Sequence, residues 1–232
     1  GNGDLPDTSG HGPGVMSGRR HVWRSAIAAT LVFMAGPAVT HVATDGFSAY
    51  TLESARRLAA LRAPAPVPDL ALELADGGQA QLHELPGPVL LVDFIYTRCM
   101  TYCQALGSIY ARLQRQLAPE IAAGKVRLLS VSFDPERDDP PALLAYRKRH
   151  SREAEGWALG RPLDARGRQD WLRAFGVVVI PDGLGGYAHN AAVQVIGPDR
   201  KLVAILDYSD LDGIVKTARE LTEGAARDVA AR

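Results

Sequence analysis

The segment "PVLLVDFIYTRCMTYC", from Pro88 to Cys103, restricts the fold more than any other part of the chain. It begins as a nearly continuous apolar run, short and rich in Val and aromatic side chains. That is the pattern of a strand buried on both faces. From Cys103 onward the period changes. Leu106, Ile109, Tyr110, Leu113 and Leu117 recur on one helical face, and Gly124 supplies a stop. A central strand thus feeds straight into a helix, with both cysteines of the chain, Cys99 and Cys103, at the junction. This predicts an α/β domain with local chemistry beyond the carboxyl end of that strand.

The flanking segments fit such a domain. "LALEL" and "AQLHEL" flank Asp76-Gly77-Gly78, a hairpin signal. "KVRLLSVSF" reads as another strand, and Pro140-Pro141 opens an amphipathic helix. "GWALGRPL" is a short strand or turn and "GRQDWLRAFG" a short helix. "NAAVQVIGPDRKLVAILDY" reads as two strands joined around Gly197-Pro198-Asp199, and "LDGIVKTARELTEGAARDVA" as a closing helix. The order predicts a thioredoxin-like domain over 68–232 that starts with a β-hairpin. With 232 residues, 47% of them hydrophobic, the chain supports one sizeable core rather than two.

A different pattern precedes that domain. The basic stretch "SGRRHVWRS" is followed by "AIAATLVFMAGPAV", apolar from Ala26 to Val39 except for Thr30. Residues 25–43 read as a single transmembrane anchor or signal segment, after a disordered, basic tail over 1–24. Met16, directly before the basic run, is a candidate biological start. The charges precede the apolar run, so the positive-inside rule puts the rest of the chain on the exported side, periplasmic or equivalent. Residues 44–67 read as a juxtamembrane helix capped by Thr51, then the stiff spacer "APAPVP". Basic and acidic residues balance at 26 each, so nothing global points to nucleic acid. The run Arg147-Lys148-Arg149 reads as a solvated helix face.

Two cysteines cannot build a disulfide framework, but two close together suggest local chemistry. Their spacing leaves three readings: a redox switch, a structural bridge, or part of a metal site. A helix N-terminus favours thiolates, so both cysteines are expected to titrate below the free value of about 8.5. Such a pair can close a disulfide or hold a soft metal: Cu(I), zinc or iron–sulfur. A metal site would need a third ligand, usually histidine. Of the six histidines, His11, His21 and His41 precede the domain, His83 sits in the early hairpin, and His150 ends the basic helix. His189 follows the Gly-rich loop "PDGLGGYA" and opens the late hairpin. In a thioredoxin-like layout it is the histidine best placed to reach Cys99 and Cys103.

"VDFIYTRCMTYC", "LLSVSFDPERDDP", Phe175–Val177 and "YAHNAAVQVIGPDRKLV", in this order behind an apolar N-terminal segment, resemble the Sco/SenC family of membrane-tethered, copper-binding thioredoxin-fold proteins. The resemblance implies a copper site made of Cys99, Cys103 and His189, serving Cu(I) and Cu(II). It implies a metallochaperone that assists assembly of the CuA centre of cytochrome c oxidase. Its partners would be the copper-bearing subunit, other copper carriers and thiol reductases. Asp134 matches a family acidic residue linked to copper handling and partner contact, in a position where a plain turn or helix-capping aspartate also fits. The alternative is a thiol–disulfide reductase that keeps partner cysteines reduced, with Cys99, taken as the more exposed thiol, attacking and Cys103 resolving. In that case Ile180-Pro181 is a candidate cis-proline facing the cysteines.

The chain departs from the family pattern at the site. Members commonly have Pro and Asp between the cysteines and Pro after the second. Met100, Thr101, Tyr102 and Gln104 stand here, which keeps the ligand spacing and changes the stiffness and charge of the loop. Ala188 replaces an aspartate often found before the histidine, removing an acceptor for the imidazole.

Overall fold

The computed structural model describes residues 16–43, 51–99 and 102–230, in two compact units that divide between Ala55 and Arg56. Residues 1–15 of the expected tail over 1–24, and Met100-Thr101 of the intercysteine loop, lie outside the described residues; residues 16–24 of that tail are helical rather than disordered.

In the first unit, helix α1 spans Met16–Ala43. Its stretch Trp23–Val42 is 20 residues long with a mean hydropathy of 1.5, sufficient for a membrane-crossing or signal helix. Pro37 lies inside it. Helix α2, Leu52–Arg62, follows and crosses the division between the units. Thr51 caps it, its Oγ1 accepting from the Ser54 amide at 3.0 Å.

The second unit is built on an eight-stranded sheet. Its strands in chain order are β1 (Ala65–Pro66), β2 (Ala71–Leu74), β3 (Gln79–Gln81), β4 (Val89–Ile95), β5 (Val126–Ser132) and β6 (Trp157–Pro162). A separate pair, β7 (Val179–Pro181) and β8 (Tyr187–His189), precedes β9 (Val193–Ile196) and β10 (Lys201–Leu206). The sheet order is β1-β10-β9-β4-β5-β6-β2-β3. The three central strands β4, β5 and β6 run parallel, and the flanking strands are antiparallel. The helices are α3 (Tyr102–Gln116), α4 (Ala118–Ala122), α5 (Pro140–His150), α6 (Ala165–Ala174) and α7 (Leu211–Ala230).

Every residue of β4 is buried, as its unbroken apolar run requires. Successive side chains leave a strand on opposite faces, and β4 shows what covers each. Phe94 meets the rings of Trp171 in α6 and Phe175, at 6.1 and 5.2 Å between centroids. Asp93 on the opposite face lies beside Tyr110 of α3 and Ser130 of β5. On that second face Tyr110 and Tyr146 pack against Trp157 of β6.

Three details differ from the sequence reading. The helix expected to run on to Ala123 breaks at Leu117, because Pro119 starts a new turn. "GWALGRPL" forms a full strand of the main sheet rather than a turn. Ala65–Pro66, inside the expected spacer, pairs with β10 at the sheet edge, where a proline is tolerated.

Gly156, in the turn before β6, has φ +75°, and a Cβ there would lie 2.2 Å from Cγ2 of Ile121. Its carbonyl accepts the Leu128 amide at 2.7 Å, so the backbone cannot readily retreat. Gly156→Ala is expected to cost about 1–3 kcal/mol, read as a lower denaturant midpoint at unchanged slope.

Candidate functional site

The site forms beyond the carboxyl ends of β4 and β5, the usual place for chemistry in a parallel sheet. β4 ends at Ile95, and the chain turns through Tyr96–Arg98 to reach Cys99. Cys99 lies before the first helical residue, Tyr102, and Cys103 lies in the first turn of α3. The Cys103 amide donates to the Cys99 sulfur at 3.4 Å, so that sulfur satisfies one of the unpaired amides at the helix start. No disulfide joins the two cysteines.

Both are more enclosed than expected. Cys99 is 2% exposed and Cys103 0%, so Cys99 is not the solvent-facing thiol that the reductase reading assigned to it. The expectation of a lowered thiol pKa also fails for Cys103. Burial pushes that thiol well above its ordinary value, outweighing the helix terminus.

His189 ends β8. Its Nε2 is 3.7 Å from the Cys103 sulfur. Burial lowers its pKa to about 4, so the ring is neutral and able to act as a ligand. Its Nδ1 is buried with no hydrogen-bond partner among the described residues, consistent with Ala188 in place of an acidic neighbour. Two thiols and a neutral imidazole suit a soft or borderline metal. Among the described residues, no three His, Cys, Asp or Glu side chains already form a ready-made metal cage.

The histidine does not open the late hairpin. It closes a separate one, β7–β8, made from the segment read as a Gly-rich loop. Asp182 organises its tip, accepting the Leu184 and Gly186 amides at 2.8 and 2.9 Å. Ile180-Pro181 is not a cis-proline: the described residues contain no cis peptide bond, and Pro181 pairs with Tyr187 in extended conformation.

An aromatic cluster not singled out from the sequence packs against the imidazole through Phe133. Phe133, just past β5, packs edge-on against His189 with centroids 5.1 Å apart. Tyr96 and Tyr187 meet Phe133 at 5.4 and 5.5 Å and each other at 5.3 Å. Asp134 is buried, and its carboxylate accepts from Arg137 at 3.3 Å and from the Tyr187 hydroxyl at 3.4 Å. Its side chain caps no helix; Asp139 caps α5 instead, taking the Ala142 amide at 2.9 Å.

A residue not singled out from the sequence is Asp138, the second aspartate of the "DPERDDP" motif. Its buried carboxylate takes the Thr97 amide at 3.0 Å and the Thr97 and Ser132 hydroxyls at 2.6 Å each. It thereby ties the turn that leads to Cys99 to the end of β5. The Tyr146 hydroxyl donates to the Cys103 carbonyl and fixes the other side of the pair. His83 and His150 are engaged elsewhere, His83 with the Val67 carbonyl and His150 against Gly107 and Tyr146.

Known proteins share this architecture. The SCO1 protein homolog of Bacillus subtilis (strain 168) is 30% identical over 154 residues, 63% of this chain and 79% of that protein. The solved structure of BsSco, described as a member of the Sco family of cytochrome c oxidase assembly proteins with a disulfide switch, aligns with a TM-score of 0.61. It is 24% identical and covers 69% of this chain and 95% of its own. ScoI of Bradyrhizobium japonicum, solved with copper bound, aligns with a TM-score of 0.58 at 20% identity, covering 68% and 99%. The SCO1/SenC family model matches residues 65–223, which include both cysteines, Asp134, His189 and the whole main sheet. The eight-stranded α/β unit is thus a thioredoxin-like domain of the Sco type, and the chain belongs to the SCO1/SenC family.

Proposed function

We propose that this protein is a membrane-tethered copper chaperone that binds copper through Cys99, Cys103 and His189 and assists CuA-site assembly in cytochrome c oxidase. The observation that carries the reading is the approach of the neutral His189 imidazole to the Cys103 sulfur, 3.7 Å, from a hairpin remote in sequence. Family membership supports it, as does the copper bound by the Bradyrhizobium japonicum relative. Copper is cargo in this reading.

The two thiolates hold Cu(I), with His189 as an exchangeable third ligand. Cu(II) makes fuller use of the imidazole, which is harder than thiolate. Binding displaces the thiol protons, so affinity falls as pH drops. Joining Cys99 to Cys103 in a disulfide withdraws both sulfurs and couples retention to redox state. The α1 helix serves as anchor, with residues 68–232 as the copper-binding domain on the exported side. Partners are the copper-bearing oxidase subunit, other copper carriers and thiol reductases. Asp134 steadies the histidine strand through Tyr187. The reductase reading is weaker on this geometry, since both thiols are buried.

His189→Ala provides the test. The reduced protein should bind about one copper, with sulfur-to-copper charge-transfer absorption for Cu(II). The variant should lose most Cu(II) affinity and shift that absorption while keeping Cu(I). An unchanged Cu(II) spectrum would remove His189 from the ligand set.

A further inference from the structure

The β7–β8 hairpin shares no ladder with the main sheet. His189 is thus held over the cysteines by contacts other than strand pairing with that sheet, and Tyr96 makes one on each side of the site, through its backbone to Cys99 and through its side chain to the hairpin. Tyr96 follows β4 directly. Its carbonyl accepts the Cys99 amide at 3.2 Å, which sets the turn carrying that cysteine. Its hydroxyl reaches across to the hairpin, accepting the Tyr187 amide and donating to the Tyr187 carbonyl, both at 3.3 Å. A single phenol thus engages both backbone groups of one residue, as a neighbouring strand would, two positions before His189. Gly186 permits the approach: a Cβ there would lie 3.2 Å from the Tyr96 oxygen and 2.5 Å from an Asp182 carboxylate oxygen.

We infer that Tyr96 is a positioning residue that sets the separation between the cysteine pair and His189 by clasping the backbone of Tyr187. The bond from the Tyr187 hydroxyl to Asp134 is a second, weaker tie on the same residue. The inference rests on the copper reading, with Cys99, Cys103 and His189 as ligands. Its physical basis is that the thiols sit at the junction between β4 and α3 of the main domain, whereas the imidazole is carried by the hairpin, which the Tyr187 contacts anchor while Phe133 packs on the ring. Loosening the clasp should therefore affect the metal state that uses the imidazole and spare the state held by sulfur.

The test is Tyr96→Phe in the full, reduced chain, which keeps the ring against Phe133 and Tyr187 and removes only the hydroxyl. Two neutral hydrogen bonds are lost, each of modest net value, so Cu(II) should dissociate about tenfold faster, with a shifted charge-transfer band. Cu(I) affinity should stay within about twofold. Tyr187→Phe should give a smaller effect in the same direction. Equal Cu(II) release rates and spectra in Tyr96→Phe and the unaltered protein would overturn the inference. Metal-free protein separates this outcome from failure of the copper reading. Amide exchange at Tyr187 and the His189 imidazole resonances should change in Tyr96→Phe whether or not copper binds. If the unaltered protein takes up no copper, the copper reading falls, and unchanged Tyr187 exchange would show independently that the clasp does not hold the hairpin.

Discussion

Replacing Cys103 with serine should abolish tight copper binding. A serine hydroxyl is not ionised near neutral pH and is a hard donor, so the substitution removes a soft anionic ligand rather than merely weakening one. Loss of outer-shell partners alone costs metal sites roughly 10–100-fold in affinity, and loss of a direct ligand should exceed about 100-fold for Cu(I). The Cys103 sulfur lies 3.7 Å from the imidazole Nε2, so Cu(II) binding should fail with it. The position is fully buried, and an unpartnered hydroxyl there costs roughly 1–3 kcal/mol, so circular dichroism must first establish that the variant is folded. Copper titration with a competing chelator provides the measurement. A folded Cys103→Ser protein with unaltered copper affinity would exclude this residue as a ligand.

The second large effect lies beneath the site. Asp93 is fully enclosed on β4, and neither carboxylate oxygen has a hydrogen bond of ordinary geometry, although Ser130 and Tyr110 are beside it. Burial raises its pKa from 3.8 to about 7. The folded chain therefore binds a proton that the unfolded chain releases at lower pH. Stability from this group is unaffected below pH 4, falls as pH rises from about 4 to about 7, and stays reduced above that. The shift corresponds to a total of about 4 kcal/mol. Asp93→Asn cannot ionise and should lack this decline. Denaturant unfolding at pH 4.5 and pH 8 should show the variant gaining several kcal/mol relative to the original chain as pH rises. A stability difference independent of pH would contradict a raised Asp93 pKa in the folded protein.

The main sheet and its helices were legible in the sequence because their side chains are sorted by burial. β4 reads as a continuous apolar run and is buried throughout. Asp76-Gly77-Gly78 turns between β2 and β3, with Gly77 at φ +86°. The β7–β8 hairpin was not legible. Its strands are three residues each and too short to show a period, and its linker looks like an unstructured Gly-rich loop.

The site divides in the same way. The cysteines and His189 are conspicuous because such residues are rare in this chain. Tyr96, Phe133 and Tyr187 look like ordinary core aromatics, and only the crossing of three distant segments joins them into the cluster that meets the imidazole through Phe133. Asp134 drew attention through its motif, yet Asp138 holds the turn to Cys99. Helix position can be read from sequence and depth of burial cannot, so the expected lowering of the thiol pKa does not hold at Cys103. In Cys103 burial prevails.

X-ray absorption at the copper edge of the reduced, copper-loaded chain tests the central claim most directly. The proposed site predicts two sulfur neighbours and an imidazole nitrogen for Cu(II), with the nitrogen lost in His189→Ala and one sulfur lost in Cys103→Ser. A copper shell of nitrogen and oxygen alone, with both thiols still free to react, would contradict it.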